Sequence, residues 1–538
     1  MTGRFLALPL LLLLPLLLPF PSALAAQEKA EAELGRRIEE IIGQGEAEKA
    51  FWGIEIYSPA RGRTLYARNP HRYFQPASIT KLFTTAAALA LLGPDYRLRT
   101  VVGTRGRIDR TGRLLGHLYL VGGGDPDLAG CALPYTPEEE ERPCEATAIL
   151  DRLAEEVAGK GIQTVTGKLV VDQTFFAPEP YAPGWVLGDL VWSYGAPVRA
   201  LSLADNAVRV RVEPGERPRD PGRLTLQPFT RFYQIENRVL TAPPGGETLL
   251  YVRRDPGSRV LEISGSIALN HKGRTIKIAI EEPSEFVGEL FRQALERQGV
   301  RVRGPTEAYY APPPPFAGPA VTVLPVVLAE HLSRPLVEDI KLINKTSQNL
   351  HAEMLLRHLG RLEPPPASLA ERPRSPYEPP GRRADGSAEA GAAVRRAWLA
   401  NAGVDPEEVE LHDGSGLSRG NLVSPHAVIE LLKYVETQPG AALFRDSLPI
   451  AGVDGTLKDR MKDSAAYARV RAKTGTLDHT NALAGYLQTR TGETLLFAFF
   501  VNHHTLENEG AVKLLARLCV LLVQLPRDEN RDSKIENR

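Results

Sequence analysis

Apolar residues recur at helical spacing from Glu28 to about Gly43 and then switch to short alternating runs, Phe51 to Tyr57 and Thr64 to Ala67, around a turn at Arg61-Gly62. This pattern predicts a helix and a strand pair. A segment rich in Ala, Leu and Thr follows, from about Ser78 to Leu92, and its stop at Gly93-Pro94 marks a second helix. Between Asp95 and about Pro319 the texture changes to β-like runs, Leu118 to Val121, Lys168 to Val171, Val208 to Val212, Arg259 to Ile263 and Thr275 to Ile280, cut by Gly, Pro and Asp. That stretch reads as a largely β insert with a few helices. Pro312 to Pro315 forms a stiff boundary.

Helical patterns return at Leu336 to Ile343 and Ser347 to Leu359, and Glu363 to Gly391, with its prolines and arginines, reads as an exposed loop. The chain closes with strands at Val470 to Thr474, Ala482 to Leu487 and Leu495 to Val501, then a helix from about Glu509 to Leu525. Three strands and a terminal helix, preceded far upstream by a hairpin and a helix, predict a mixed α/β (α+β) fold: an antiparallel sheet covered by helices, with the middle of the chain inserted. The expected division is residues 26–95 with 320–525 as one discontinuous domain, 96–319 as inserted accessory domains, and 526–538 as a polar tail.

The first 25 residues stand apart: Arg4 precedes the apolar run Leu6 to Phe20, and Ala23-Leu24-Ala25 has the small-x-small form of a cleavage site. Pro9, Pro15, Pro19 and Pro21 argue against a retained spanning helix, so residues 1–25 are expected to be a secretory signal peptide. The destination is then across the cytoplasmic membrane, in the periplasm or cell-wall space, with at most peripheral membrane contact. Three cysteines are too few for a disulfide framework, but Cys131 and Cys144 flank one short loop and are expected to bridge, leaving Cys519 in an apolar run.

At 538 residues, with 43% hydrophobic and 24% charged residues, the composition is that of a folded protein of more than one domain. Lys plus Arg and Asp plus Glu balance at 65 each and no long basic run occurs, which excludes a nucleic-acid surface. His351, His358 and the pair His503-His504 lack further ligands at chelating spacing, so no metal site is expected. Gly122 to Gly124 lacks the Lys-Ser/Thr of a phosphate loop and reads as a turn.

Candidate chemistry begins at Ser78-Ile79-Thr80-Lys81. A separation of three residues on a helix puts hydroxyl and amine on one face, and a lysine whose pKa is lowered by burial can activate a serine. Ser347-Gln348-Asn349 at a helix start and Lys473-Thr474-Gly475 on a closing strand follow in order, each once in the chain. Ser347 is suited to relay a proton, Asn349 to orient a substrate carbonyl, Lys473 to offer fixed charge to a carboxylate, Thr474 to donate, and Gly475 to let a substrate backbone approach.

The three motifs together resemble those of the penicillin-binding proteins and serine β-lactamases. The domain-sized gap between Ser78 and Ser347, with Gly122-Gly123-Gly124-Asp125-Pro126, Tyr194-Gly195-Ala196-Pro197-Val198 and Asp413-Gly414-Ser415-Gly416-Leu417-Ser418-Arg419, narrows the resemblance to the class C low-molecular-mass penicillin-binding proteins, from about Ala50 to Leu525. These are D-alanyl-D-alanine carboxypeptidases and endopeptidases. The resemblance implies a transpeptidase-like domain interrupted by accessory domains, peptidoglycan stem peptides as substrate, β-lactams as covalent inhibitors and no cofactor. It makes Ser78, Lys81 and Ser347 catalytic and Asn349, Lys473, Thr474, Gly475 and Thr476 substrate-binding. It also assigns Asp189 and Arg419 to the charged end of the stem-peptide diamino acid. The stretch Glu363 to Gly391 is longer than the family leads one to expect. Two other functions share the fold: a β-lactamase, for which no deacylating Glu loop is evident, and a non-catalytic wall-binding or penicillin-sensing module, against which the intact Ser78, Lys81 and Lys473 argue.

Overall fold

The computed structural model describes residues 20–137, 145–310, 324–362 and 384–526. The leader up to residue 19, Pro312 to Pro315, Glu363 to Arg383, the tail from residue 527 and Cys144 lie outside the described residues.

The hairpin and the closing strands pair as one five-stranded antiparallel sheet, in spatial order Arg63–Arg68, Phe51–Ser58, Thr494–Asn502, Thr480–Gln488, Val470–Leu477. Successive side chains point to opposite faces of a strand, so an unbroken apolar run needs cover on both sides. Leu495, Phe497, Phe499 and Val501 pack with Leu34, Ile38, Leu515 and Leu518 of helices Phe20–Ile42 and Asn508–Val523. Leu496, Ala498 and Phe500 pack instead with Leu82, Phe83, Val428 and Leu432 of helices Thr80–Leu92 and Pro425–Glu436. The chain folds as helices, sheet and helices in three layers, and Val470–Leu477 is an edge strand of that sheet.

From Arg99 to Leu332 the described residues build a second body of four sheets with helices Ala148–Gly159 and Pro283–Arg297. Its first strand, Arg99–Thr104, pairs antiparallel with its last, Val326–Leu332. The chain therefore leaves and re-enters the host at neighbouring points, which lets a large insertion spare the host core. The last inserted strand comes after residue 319, where composition alone places the boundary; strand pairing decides which body that segment joins.

The two bodies meet along helix Asn349–Leu359. Gly124, at φ +76°, brings its carbonyl 3.0 Å from His358 Nε2, and a Cβ there would lie 2.4 Å from that nitrogen. Gly123 has the same constraint, since a Cβ would sit 1.9 Å from Arg99 O. Gly124 packs against the host helix, whereas Gly122 and Gly123 pack on Ala200 and Arg99 within the insert. His351, fully buried, stands between Asp339 of the host, 2.5 Å from Nδ1, and Asp205 of the insert, 3.2 Å from Nε2, and these two carboxylates hold its pKa well above the usual range against burial.

Cys131 is disulfide-bonded and Cys519 is a buried free thiol. Thiol titration of unfolded, unreduced protein should count one reactive cysteine; a count of three would contradict the bridge.

Candidate active site

Ser78 lies in a single 3-10 turn, Ala77–Ile79, and the α-helix proper begins at Thr80, two residues later than the sequence pattern suggests. Ala77 at φ +47° turns the chain just before the serine, the kind of backbone strain that a packed site sustains. The three-residue spacing still brings Lys81 Nζ to 2.9 Å from Ser78 Oγ. Lys81 Nζ also lies 2.6 Å from Asn349 Oδ1 and 2.7 Å from Ser415 O. Lys81 is fully buried, and burial lowers its pKa to about 7 against the opposing pull of Asp413 and Glu353. A neutral lysine has two N–H groups and one lone pair. With both carbonyl oxygens accepting, the lone pair is left for the Ser78 hydroxyl.

The carbonyl of Ser415 is held in place from several sides. Glu353 Oε1 accepts from Gly414 N at 3.0 Å and Ser415 N at 2.7 Å. Asp413 accepts from Gly416 N at 2.9 Å, Ser418 N at 2.6 Å, Asn421 Nδ2 at 2.7 Å and Trp185 Nε1 at 3.1 Å. The buried Arg395 donates to Thr84 Oγ1 at 2.9 Å, Asp413 O at 2.8 Å and Leu411 O at 2.9 Å. Gly416, at φ +89°, presses on the serine turn so closely that a Cβ would fall 1.8 Å from Ala77 O. Burial and the neighbouring Asp413 push the Glu353 carboxyl upward. Glu353 was not anticipated from the motifs; its one signal is an acid in a buried apolar helix, four residues beyond Asn349 and hence on the same face.

Ser347 ends helix Leu336–Thr346 in the left-handed conformation, φ +63°, rather than opening the next helix, which begins at Asn349. Its Oγ accepts from Lys473 Nζ at 2.9 Å, and Lys473 also donates to Thr474 O at 2.9 Å. Burial and the nearby Lys81 hold the Lys473 pKa well below the lysine range. Its motif leads one to expect a cation there, and an anion beside it favours the charge. Thr474 Oγ1 donates to Thr456 Oγ1 at 2.9 Å, and the exposed Thr476 accepts from Asn481 Nδ2 at 3.3 Å. Gly475 makes room for the protein's own chain, since a Cβ would lie 2.7 Å from Pro76 O and 3.2 Å from Ala77 Cβ. Asn349 Oδ1 faces Lys81 and Nδ2 donates to Tyr194 O at 2.9 Å; an amide nitrogen carries two N–H groups, so this contact does not use up its donors.

Asp189 and Arg419 are brought together. Arg419 Nη2 lies 3.7 Å from Asp189 Oδ2 and 3.8 Å from Asp478 Oδ2, while Nη1 donates to Leu417 O at 2.8 Å. Asp189 is buried, and its Oδ2 accepts no hydrogen bond from the described residues. Burial raises its pKa, with Arg419 and the Tyr194 hydroxyl opposing.

Because a protonated Lys81 cannot take the serine proton, acylation of Ser78 by a chromogenic β-lactam should rise with pH through about 7 and level off above it in stopped-flow measurements. Glu353→Gln keeps an acceptor for the Gly414 and Ser415 N–H groups but removes a charge that favours the ammonium, so the midpoint should move to lower pH. A midpoint that stays or rises contradicts this arrangement.

The chain is similar to known proteins. The model of the D-Ala-D-Ala carboxypeptidase 3 (S13) family matches residues 34–373 and 381–519. A D-alanyl-D-alanine carboxypeptidase of Actinomadura sp. (strain R39) is 34% identical over 516 residues, covering 93% of this chain and 87% of that one. The D-alanyl-D-alanine carboxypeptidase DacB of Haemophilus influenzae is 26% identical over 448 residues, 81% of this chain and 82% of the relative. The crystal structure of penicillin binding protein 4 (dacB) from Haemophilus influenzae superposes with a TM-score of 0.73 at 23% identity, over 91% of this chain and 99% of that one. With a match spanning both halves of the host sheet and the insert between them, the chain belongs to the D-Ala-D-Ala carboxypeptidase 3 (S13) family.

Proposed function

We propose that this enzyme, a serine-type D-alanyl-D-alanine carboxypeptidase, works through an acyl-enzyme on Ser78 with Lys81 as base. The observation that carries this is the 2.9 Å contact of Lys81 Nζ with Ser78 Oγ while two carbonyl oxygens occupy the amine's N–H groups. Lys81 takes the hydroxyl proton as Ser78 Oγ bonds to the carbonyl carbon between two D-alanine units. The C–N bond then breaks, and the leaving amine takes its proton from Ser347, backed by Lys473. Ser347 recovers a proton from Lys81, which then takes one from the water that attacks the ester and returns it to Ser78 Oγ as the shortened stem peptide departs. The terminal D-alanine carboxylate is received by Lys473, Thr474 and Thr476. When the leaving amine belongs to a cross-link, the same chemistry is endopeptidase activity.

The substrate is the peptidoglycan stem peptide, and β-lactams acylate the same serine; a structure of the Haemophilus influenzae relative is complexed with a β-lactam. The leader-like residues 1–25 support work outside the cytoplasmic membrane, in the periplasm or cell-wall space. Among the described residues no helix is long and apolar enough to cross a membrane. The pocket of Asp189, Tyr194 and Arg419 receives the charged end of the stem-peptide diamino acid. The buried Asp189 Oδ2 without a donor supports that role, since such an oxygen gains most from a ligand N–H.

Mass spectrometry of a penicillin-treated digest should place the adduct on the peptide containing Ser78, and an adduct elsewhere would overturn the assignment. Lys81→Ala, Ser347→Ala and Lys473→Ala should each slow acylation by about a hundredfold or more and combine far below additivity, as residues acting as one unit do. Losses of a few fold that multiply would show independent roles. Asp189→Ala should lower kcat/KM more for a peptide with a free diamino-acid end than for a simple D-alanyl-D-alanine ester; equal losses would rule out the pocket.

A further inference from the structure

The charges around Arg419 do not cancel. One guanidinium is shared by two carboxylates, Asp189 at 3.7 Å and Asp478 at 3.8 Å. Its other terminal nitrogen already donates to Leu417 O at 2.8 Å. Asp478 stands with His479 between the paired residues Leu477 and Thr480, at the hairpin end of the strand that carries Lys473, Thr474 and Thr476. The hairpin is fixed by His479, which takes φ +57° and sets its Nδ1 2.8 Å from His504 O. Asp478 is thus placed by the same strand that presents the carboxylate-binding residues, and its side chain, 3.8 Å from Arg419, is 91% exposed. On the other side, Asp189 offers the buried Oδ2 that accepts no hydrogen bond from the described residues.

We propose that Asp478 is a specificity-determining residue that makes the Asp189–Arg419 pocket select a diamino-acid end bearing an ammonium and no carboxylate. The inference rests on the pocket described under Proposed function and adds the class of stem peptide it takes. Two acids and one guanidinium leave the pocket one negative charge in surplus, which a lone ammonium neutralises. An end that carries both ammonium and carboxylate brings no net charge. Its carboxylate comes to Arg419 Nη2, which stands 3.8 Å from Asp478 without a hydrogen bond to it, and then lies beside that acid, and like charges at such a site penalise binding. Asp478 therefore acts by repulsion as well as attraction. Its exposure limits the effect to that of a solvated charge, about two- to fivefold in relative rate, and makes it sensitive to salt.

The test compares kcat/KM for three pentapeptides ending in D-alanyl-D-alanine that differ only at the third residue: L-lysine, meso-diaminopimelate, and N-ε-acetyl-lysine. The wild-type enzyme should favour lysine over diaminopimelate about two- to fivefold, and the ratio should fall toward one in high salt and in Asp478→Asn. The ratio is the readout, so a general loss of activity in the variant cancels. Equal rates, a preference for diaminopimelate, or an unchanged ratio in Asp478→Asn would overturn the role of Asp478 while leaving the pocket standing, provided both charged peptides outrun the acetylated one. If neither does, the pocket itself fails and the specificity inference falls with it.

Discussion

An ammonium removed entirely from water must be paired or give up its proton, and Lys81 is fully buried with two carbonyl oxygens and a hydroxyl as its neighbours. Carbonyls accept hydrogen bonds from an amine as readily as from an ammonium, so nothing in direct contact compels the charge. Asp413 and Glu353 favour the ammonium from further away, and burial outweighs them. The outcome is a base poised near neutrality beside a serine. Much of the surrounding structure keeps those two carbonyls in position.

One carbonyl belongs to Ser415, on a turn tied down by Asp413, Glu353 and Arg395, three charged groups that are themselves buried. The other belongs to Asn349, whose amide nitrogen is held by Tyr194 O from the inserted body. The insert is therefore part of the site: it fixes the side chain that fixes the base. The seam along helix Asn349–Leu359 serves the same end, with Gly124 against His358 and Asp205 against His351 bracing the helix that carries Asn349. Gly416 and Gly475 let the two flanking strands of chain close on Ala77 and Pro76, so that the turn bearing Ser78 is gripped from both sides.

The motifs and the host sheet were legible because their physics is local. An unbroken apolar run marks Leu495 to Val501 as a doubly covered strand, and the Ser78 to Lys81 spacing is one helical turn whether the turn begins at Ser78 or Thr80. What could not be read depends on contacts between distant segments. Glu353 acquires its role from main-chain N–H groups 61 and 62 residues away. The contact of Asn349 with Tyr194 could not be foreseen because Tyr194 lies in the insert. The burial that lowers the Lys473 pKa is not written in a three-residue motif, and Asp478 matters only once folding sets Arg419 beside it. The Arg99–Thr104 and Val326–Leu332 pairing places the end of the insert by long-range register that the proline run conceals.

The central claim is that Lys81 is a neutral amine near physiological pH, and its own titration tests this most directly. In protein labelled with 13C at lysine Cε, the Lys81 resonance, assigned by its loss in Lys81→Arg, should titrate with a midpoint near 7. A midpoint near the ordinary lysine value of 10.5 would contradict the account.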